Sequence, residues 1–187
     1  TKTESGSAQV LITASRTAEG WVATDTDSST LDDTTWTDAD TAGSSKWAGA
    51  DSVGKFYGYG EGTVTIEADG VATTDSVVVS ATSGTTDYTF EGGALDAASL
   101  AVNAGTLTIN NDGVSTTGDA ILSNSGKLTV NADKELTVGG DMGVLDSATL
   151  DNSGSVTVDG TLSVAANATV TNAGTLDGGT LDASGAT

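Results

Sequence analysis

One short phrase recurs through the second half of the chain. Asn103-Ala104-Gly105-Thr106-Leu107-Thr108-Ile109 returns as Asn124-Ser125-Gly126-Lys127-Leu128-Thr129-Val130 and as Asn152-Ser153-Gly154-Ser155-Val156-Thr157-Val158. A shortened copy stands at Asn172-Ala173-Gly174-Thr175-Leu176. The starts lie 21, 28 and 20 residues apart. Repeats of this length mark a solenoid, because each unit is too thin to bury an apolar face alone and does so by stacking on its neighbours.

Within each copy apolar residues alternate with Thr, Ser or a charge, the period of a β-strand. Between strands lie Gly, Asn and Asp, which tolerate positive φ and bond their own backbone in tight turns. The repeating unit is therefore strand, Asn-Ala/Ser-Gly corner, strand. Gly105, Gly126, Gly154 and Gly174 are the expected corner residues. No segment carries a convincing helical period. The predicted fold is all-β: a single-stranded parallel β-helix, or β-solenoid, of five or six coils. Leu107, Ile109, Leu128, Val130, Val156 and Val158 are expected to point inward in apolar rows. Asn103, Asn124, Asn152 and Asn172 are expected to stack as an internal amide ladder.

Aromatic residues divide the chain, since Trp21, Trp36, Trp47, Phe56, Tyr57, Tyr59, Tyr88 and Phe90 all precede residue 91. Residues 1–62 read as an irregular β or cap region with aromatic anchors, and residues 63–187 as the solenoid. Val10, Leu11 and Ile12 form a strand candidate isolated from the repeats. Such a strand can complete a neighbour's sheet by strand addition. The run from Leu181 to Thr187 carries no amphipathic cap, which predicts either exposed strand edges and self-association or a piece cut from a longer protein.

Composition excludes several functions. Against 26 Asp and Glu stand 6 Lys and Arg, a net charge of −20. Phosphate backbones and anionic membranes repel such a chain, so nucleic acid is not an expected partner. No apolar run reaches the roughly 20 residues of a membrane helix. There is no Cys and no His. Thiolate and imidazole chemistry, from zinc sites to a Ser-His-Asp triad, is thereby absent. Paired carboxylates such as Asp32-Asp33 remain. With Trp36 and Trp47 they admit a polysaccharide-binding or polysaccharide-cleaving cleft, although turn-capping Asp and buried Trp explain them more simply. Asp25-Thr26-Asp27-Ser28-Ser29 begins like a Ca²⁺ loop, but Thr30 replaces the required Gly and Trp36 the required Glu. No cofactor is expected, and Ca²⁺ only as a lesser alternative with no assignable ligands. Thr-x-Thr pairs at Thr63/Thr65 and Thr106/Thr108 do not recur at constant spacing and read as ordinary outward positions.

Tyr88-Thr89-Phe90-Glu91-Gly92-Gly93-Ala94-Leu95, followed by Ser99 through Ile109, resembles the autotransporter-associated β-strand repeat. That repeat runs Tyr-Thr-Phe/Leu-Ser-Gly-Gly, a short strand, then Gly-Gly-Thr-Leu-Thr-Leu. The likeness covers residues 60–110 closely and 110–180 more loosely. Glu91 stands where Ser is usual, and Asn-Ala-Gly replaces a Gly pair. The resemblance implies a right-handed parallel β-helix outside a bacterial cell, in a passenger domain of a surface protein. It implies no catalytic residues. The expected role is thus a non-catalytic extracellular structural or adhesive element: a stalk, or a fibre subunit whose partner is itself, other surface proteins or glycans.

Overall fold

The computed structural model describes residues 12–16, 22–24, 36–37, 44–45, 53–57, 60–80 and 86–183. All regular structure among them is β. Strand β1 (Ile12–Arg16) forms an antiparallel hairpin with β2 (Val22–Thr24), and β3 (Trp36–Thr37) one with β4 (Ser44–Ser45). Parallel stacking begins at β5 (Val53–Tyr57). Two long bent strands follow, β6 (Gly60–Ser80) and β7 (Thr86–Asn103), each making most of a coil.

Later coils divide into shorter strands. The next comprises β8 (Thr106–Asn111), β9 (Val114–Thr116) and β10 (Ala120–Ser123). Above it lie β11 (Lys127–Val130), β12 (Glu135–Val138) and β13 (Met142–Val144). Then come β14 (Thr149–Asn152) and β15 (Ser155–Val164), and finally β16 (Thr169–Asn172) and β17 (Thr175–Asp182). From β7 onward each residue pairs with one 19 to 22 positions further along, always in parallel. This is the β-solenoid that the repeats predict.

Every coil has three faces. The first stacks 62–66, 87–92, β8, β11, β14 and β16. The second stacks 71–74, 94–97, β9, β12, 155–158 and 175–178. The third stacks β5, 76–80, 99–103, β10, β13, 162–164 and 181–182. Parallel register puts like side chains above one another. Tyr88, Leu107, Leu128 and Leu150 form one inward row, Leu95, Val114, Leu136 and Val156 a second, and Leu100, Ala120, Met142 and Leu162 a third; all are buried. Full burial of one such aliphatic side chain contributes about 1.5–3 kcal/mol. The rows therefore supply the apolar drive that offsets ordering the chain.

Aromatics fill the N-terminal end of this interior. Phe56 lies 5.1 Å from Tyr88 and 5.4 Å from Phe90 between ring centroids, in tilted and edge-on geometry. Chain length differs there too. Between β6 and β7 the register shifts between Ile66 and Val71, absorbing extra residues in the early coil.

Ile12 is not isolated from the repeats. Strand β1 pairs antiparallel with residues 62–66, so the first face of β6 is sealed by its own chain. A donated β1 would have to leave this seat. Val10 and Leu11 lie outside the described residues.

Leu128 is 0% exposed at mid-stack, whereas Leu181 in the last coil is 66% exposed. Leu128→Ala should therefore cost about 2–5 kcal/mol through lost burial and a cavity. Leu181→Ala should stay within about 0.5 kcal/mol. Urea denaturation of both variants checks the contrast.

Candidate functional site

Polar chemistry in this molecule concentrates at the three corners. Between the third and first faces the chain turns at 103–105, 123–126, 145–148 and 165–168. Ala104, Asn124, Ser125, Asp146 and Ser147 all take left-handed backbone there, with φ between 47° and 65°. Tight turns close with hydrogen bonds from Gly126 N to Ser123 O (2.8 Å) and from Ala148 N to Leu145 O (2.8 Å). Asn124 donates through Nδ2 to Asn103 Oδ1, and Ser123 Oγ approaches the same oxygen at 3.4 Å. A Cβ on Gly126 would lie 2.2 Å from the carbonyl oxygen of Val102, which explains its glycine.

Between the first and second faces the amides go deeper. Asn152 is fully buried. Its Nδ2 donates to Asn172 Oδ1 (2.8 Å) and to Thr175 O (2.6 Å), while its Oδ1 accepts from Gly154 N (3.0 Å). One coil lower, Asn131 donates to Asn110 Oδ1 at 3.0 Å. Asn111, also fully buried, donates to the carbonyls of Gly93 (2.9 Å) and Gly113 (2.8 Å).

The four asparagines of the recurring phrase thus form two pairs at two different corners. Asn103 and Asn124 mark the corner entering the first face, and Asn152 and Asn172 the corner leaving it. The 28-residue gap is one coil plus one face. Likewise Leu128 and Val130 belong to the first face, and Val156 and Val158 to the second.

The third corner carries a motif that sequence reading missed. Asp119 Oδ1 accepts from Asp141 N at 2.9 Å, and Asp141 Oδ1 accepts from Thr161 N at 2.8 Å. Each carboxylate ties its coil to the backbone of the next. The available signal was Gly118-Asp119 followed 22 residues later by Gly140-Asp141.

An open groove of about 380 Å³ lies at the corner between the first and second faces. Asp112, Asp133, Lys134, Glu135, Ser155 and Thr175 line it. Lys134 Nζ stands 3.9 Å from Asp112 Oδ1. These groups offer hydroxyls, carboxylates and one ammonium, suited to hydrogen bonding with a polyhydroxylated ligand. Among the described residues no group of three or more Asp or Glu is arranged to hold a metal.

Of the other expected site residues, Trp36 lies in β3 opposite Ser45. Trp47, Asp32, Asp33 and the Asp25–Ser29 segment lie outside the described residues. No helix among the described residues is long and apolar enough to cross a membrane. No protein-family model, curated protein or solved structure matches the chain.

Asn152→Ala removes both side-chain donors and leaves Gly154 N without its acceptor. It should cost about 1–3 kcal/mol, the penalty of unsatisfied buried polar groups. Asn124→Ala, at an exposed corner, should cost less. Amide hydrogen exchange at Gly154 reports the change directly, with protection lost in Asn152→Ala and kept in Asn124→Ala.

Proposed function

We propose that this chain is a non-catalytic structural or adhesive β-solenoid of a bacterial cell surface, serving as a stiff stalk or as a fibre subunit. The observation that carries the reading is the parallel ladder that runs from β5 to β17. Every internal coil is hydrogen-bonded on both sides and rests on continuous apolar rows. Such a stack gains about 4.8 Å of length per coil and resists bending, because bending breaks backbone hydrogen bonds on one face. The resemblance of residues 60–110 to the autotransporter-associated repeat supports an extracellular setting. The reading requires no cofactor, and its partners are further copies, other surface proteins or glycans.

The groove beside Lys134 and Glu135 favours one second reading, a polysaccharide-binding module. Electron microscopy of the purified chain should display uniform narrow rods, or filaments with a regular axial repeat. A glycan panel separates the two readings. Alanine variants at Trp36, Trp47, Lys134 and Glu135 are compared with the parent chain. A glycan held by the parent and lost in these variants would overturn the purely structural role.

A further inference from the structure

The three faces of the coil carry charge unequally. Asp87, Glu91, Lys127 and Asp151 stand in the strands of the first face, and Asp96 and Glu135 in those of the second. On the third face five consecutive coils contribute 76–80, 99–103, 120–123, 142–144 and 162–164. None of the 26 acidic or 6 basic residues falls in these segments. The acids nearest to them, Asp119 and Asp141, stand at the corner, and each accepts a backbone N–H of the next coil.

What the third face presents instead is ordered in rows. Val78, Ala101, Ile121 and Gly143 stack as its central row. Ile121 is 44% exposed, against 0% for its neighbours Ala120 and Leu122, so this row points outward. A Cβ added to Gly143 would meet the Leu145 side chain at 3.5 Å, so Leu145 widens the apolar strip there. Polar rows flank it, with Ser76 and Ser99 on one side and Ser80, Asn103 and Ser123 on the other. Each flanking row lies two residues from the centre, about 6.6 Å along the strand, and repeats about every 4.8 Å up the stack. A single exposed Ile is ordinary on a protein surface. An apolar row between two polar rows, on the one face cleared of charge, is a more specific pattern.

We propose that the third face is a docking surface for an uncharged polysaccharide of pyranose rings lying along the stack. Such rings carry C–H groups on their faces and hydroxyls at their rims. The C–H faces meet the central row, and the rim hydroxyls reach the Ser and Asn rows beside it. Charge selects this occupant. A net charge of −20 repels carboxylated glycans, anionic membranes, nucleic acids and a second copy alike. A neutral chain meets the one face where no charge has to be buried, which would be costly without a partner. The contact presupposes the adhesive role and is separate from the groove beside Lys134, which lies at the corner between the first and second faces.

Co-sedimentation of the 187-residue chain with microcrystalline cellulose, with chitin and with insoluble polygalacturonate tests this contact. Retention on cellulose or chitin is expected, equal at low and high salt because no ion pair forms, with none on polygalacturonate. Ile121→Asp should lower retention at least about tenfold, since docking would bury an unpaired carboxylate. Ile121→Ser, a milder change that keeps the circular dichroism of the parent, should lower it less. Thr108→Asp, on the first face, should bind like the parent. No retention on either neutral glycan, equal retention on polygalacturonate, retention that falls as salt rises, or folded Ile121 variants that bind like the parent would each overturn the docking surface. So would a parent that dimerises through Ile121 and holds no glycan. Retention lost in Lys134→Ala or Glu135→Ala but kept in Ile121→Asp would also overturn it, while leaving the glycan-binding reading in place at the groove.

Discussion

Everything in this molecule follows from one constraint, the parallel backbone ladder between successive coils. Once a strand is paired in parallel and in register, each inward residue must stack on another of like polarity. An inward apolar residue rests on an apolar residue, as in Leu107, Leu128 and Leu150 or in Leu100, Ala120 and Met142. The same rule acts at corners, where two coils approach through backbone. Gly174 sits where a Cβ would fall 2.0 Å from the carbonyl oxygen of Gly154. No side chain fits there without displacing a coil. Repetition in the sequence is thus the direct imprint of stacking.

That imprint made the architecture legible. The period of two, the Asn-Ala/Ser-Gly corners and the absence of a helical period are all local, and the coil follows from them. The identity of each face was not legible. Asn-Ser-Gly at 124–126 turns with Asn124 and Ser125 in left-handed backbone, whereas the same three residues at 152–154 do not, so one phrase serves two different turns. A spacing of 28 residues carries no mark separating a long coil from one coil plus a face. Only the register of β12 with β15 resolves it. Thr-x-Thr spacing misleads for a related reason. Thr89, Thr108 and Thr129 share one outward row although their separations differ, because inserted residues are absorbed at corners and leave the strands in register.

The N-terminal strand was legible as a strand and not as a partner. Alternation in Ile12–Arg16 says that one side faces an apolar surface. It does not say which sheet, which direction or which molecule. Pairing of β1 with residues 62–66 is set by tertiary geometry, the first coil having an edge that a parallel strand of the same chain does not fill. Asp119 and Asp141 escaped notice because acidic residues in a chain this acidic look like solvated surface. Their role depends on a backbone N–H arriving from the next coil, which no local window contains.

The large negative charge is consistent with this architecture when its location is considered. A parallel ladder stacks like on like, so an acidic residue in the middle of a strand face would meet its copy about 4.8 Å away and be destabilised. On the first face Glu61 does stack on Asp87, but in the later coils acid alternates with Thr. Asp151 follows Thr129 in its row and lies 3.4 Å from Lys127 of the coil below. Both partners are more than a third exposed, so the pair contributes at most about 1 kcal/mol and serves mainly to avoid repulsion. Asp119 and Asp141 stand at a corner, and each faces a backbone N–H of the next coil. At Asp119, Asp141 and Asp151 the negative charge is thus matched by a backbone N–H or a cation of an adjacent coil. The remaining acids project from the outer faces, where the net charge of −20 makes neighbouring molecules repel one another. Lateral sheet-to-sheet aggregation, the hazard of any long β-structure, is opposed by the same charge that the parallel ladder inside each molecule tolerates.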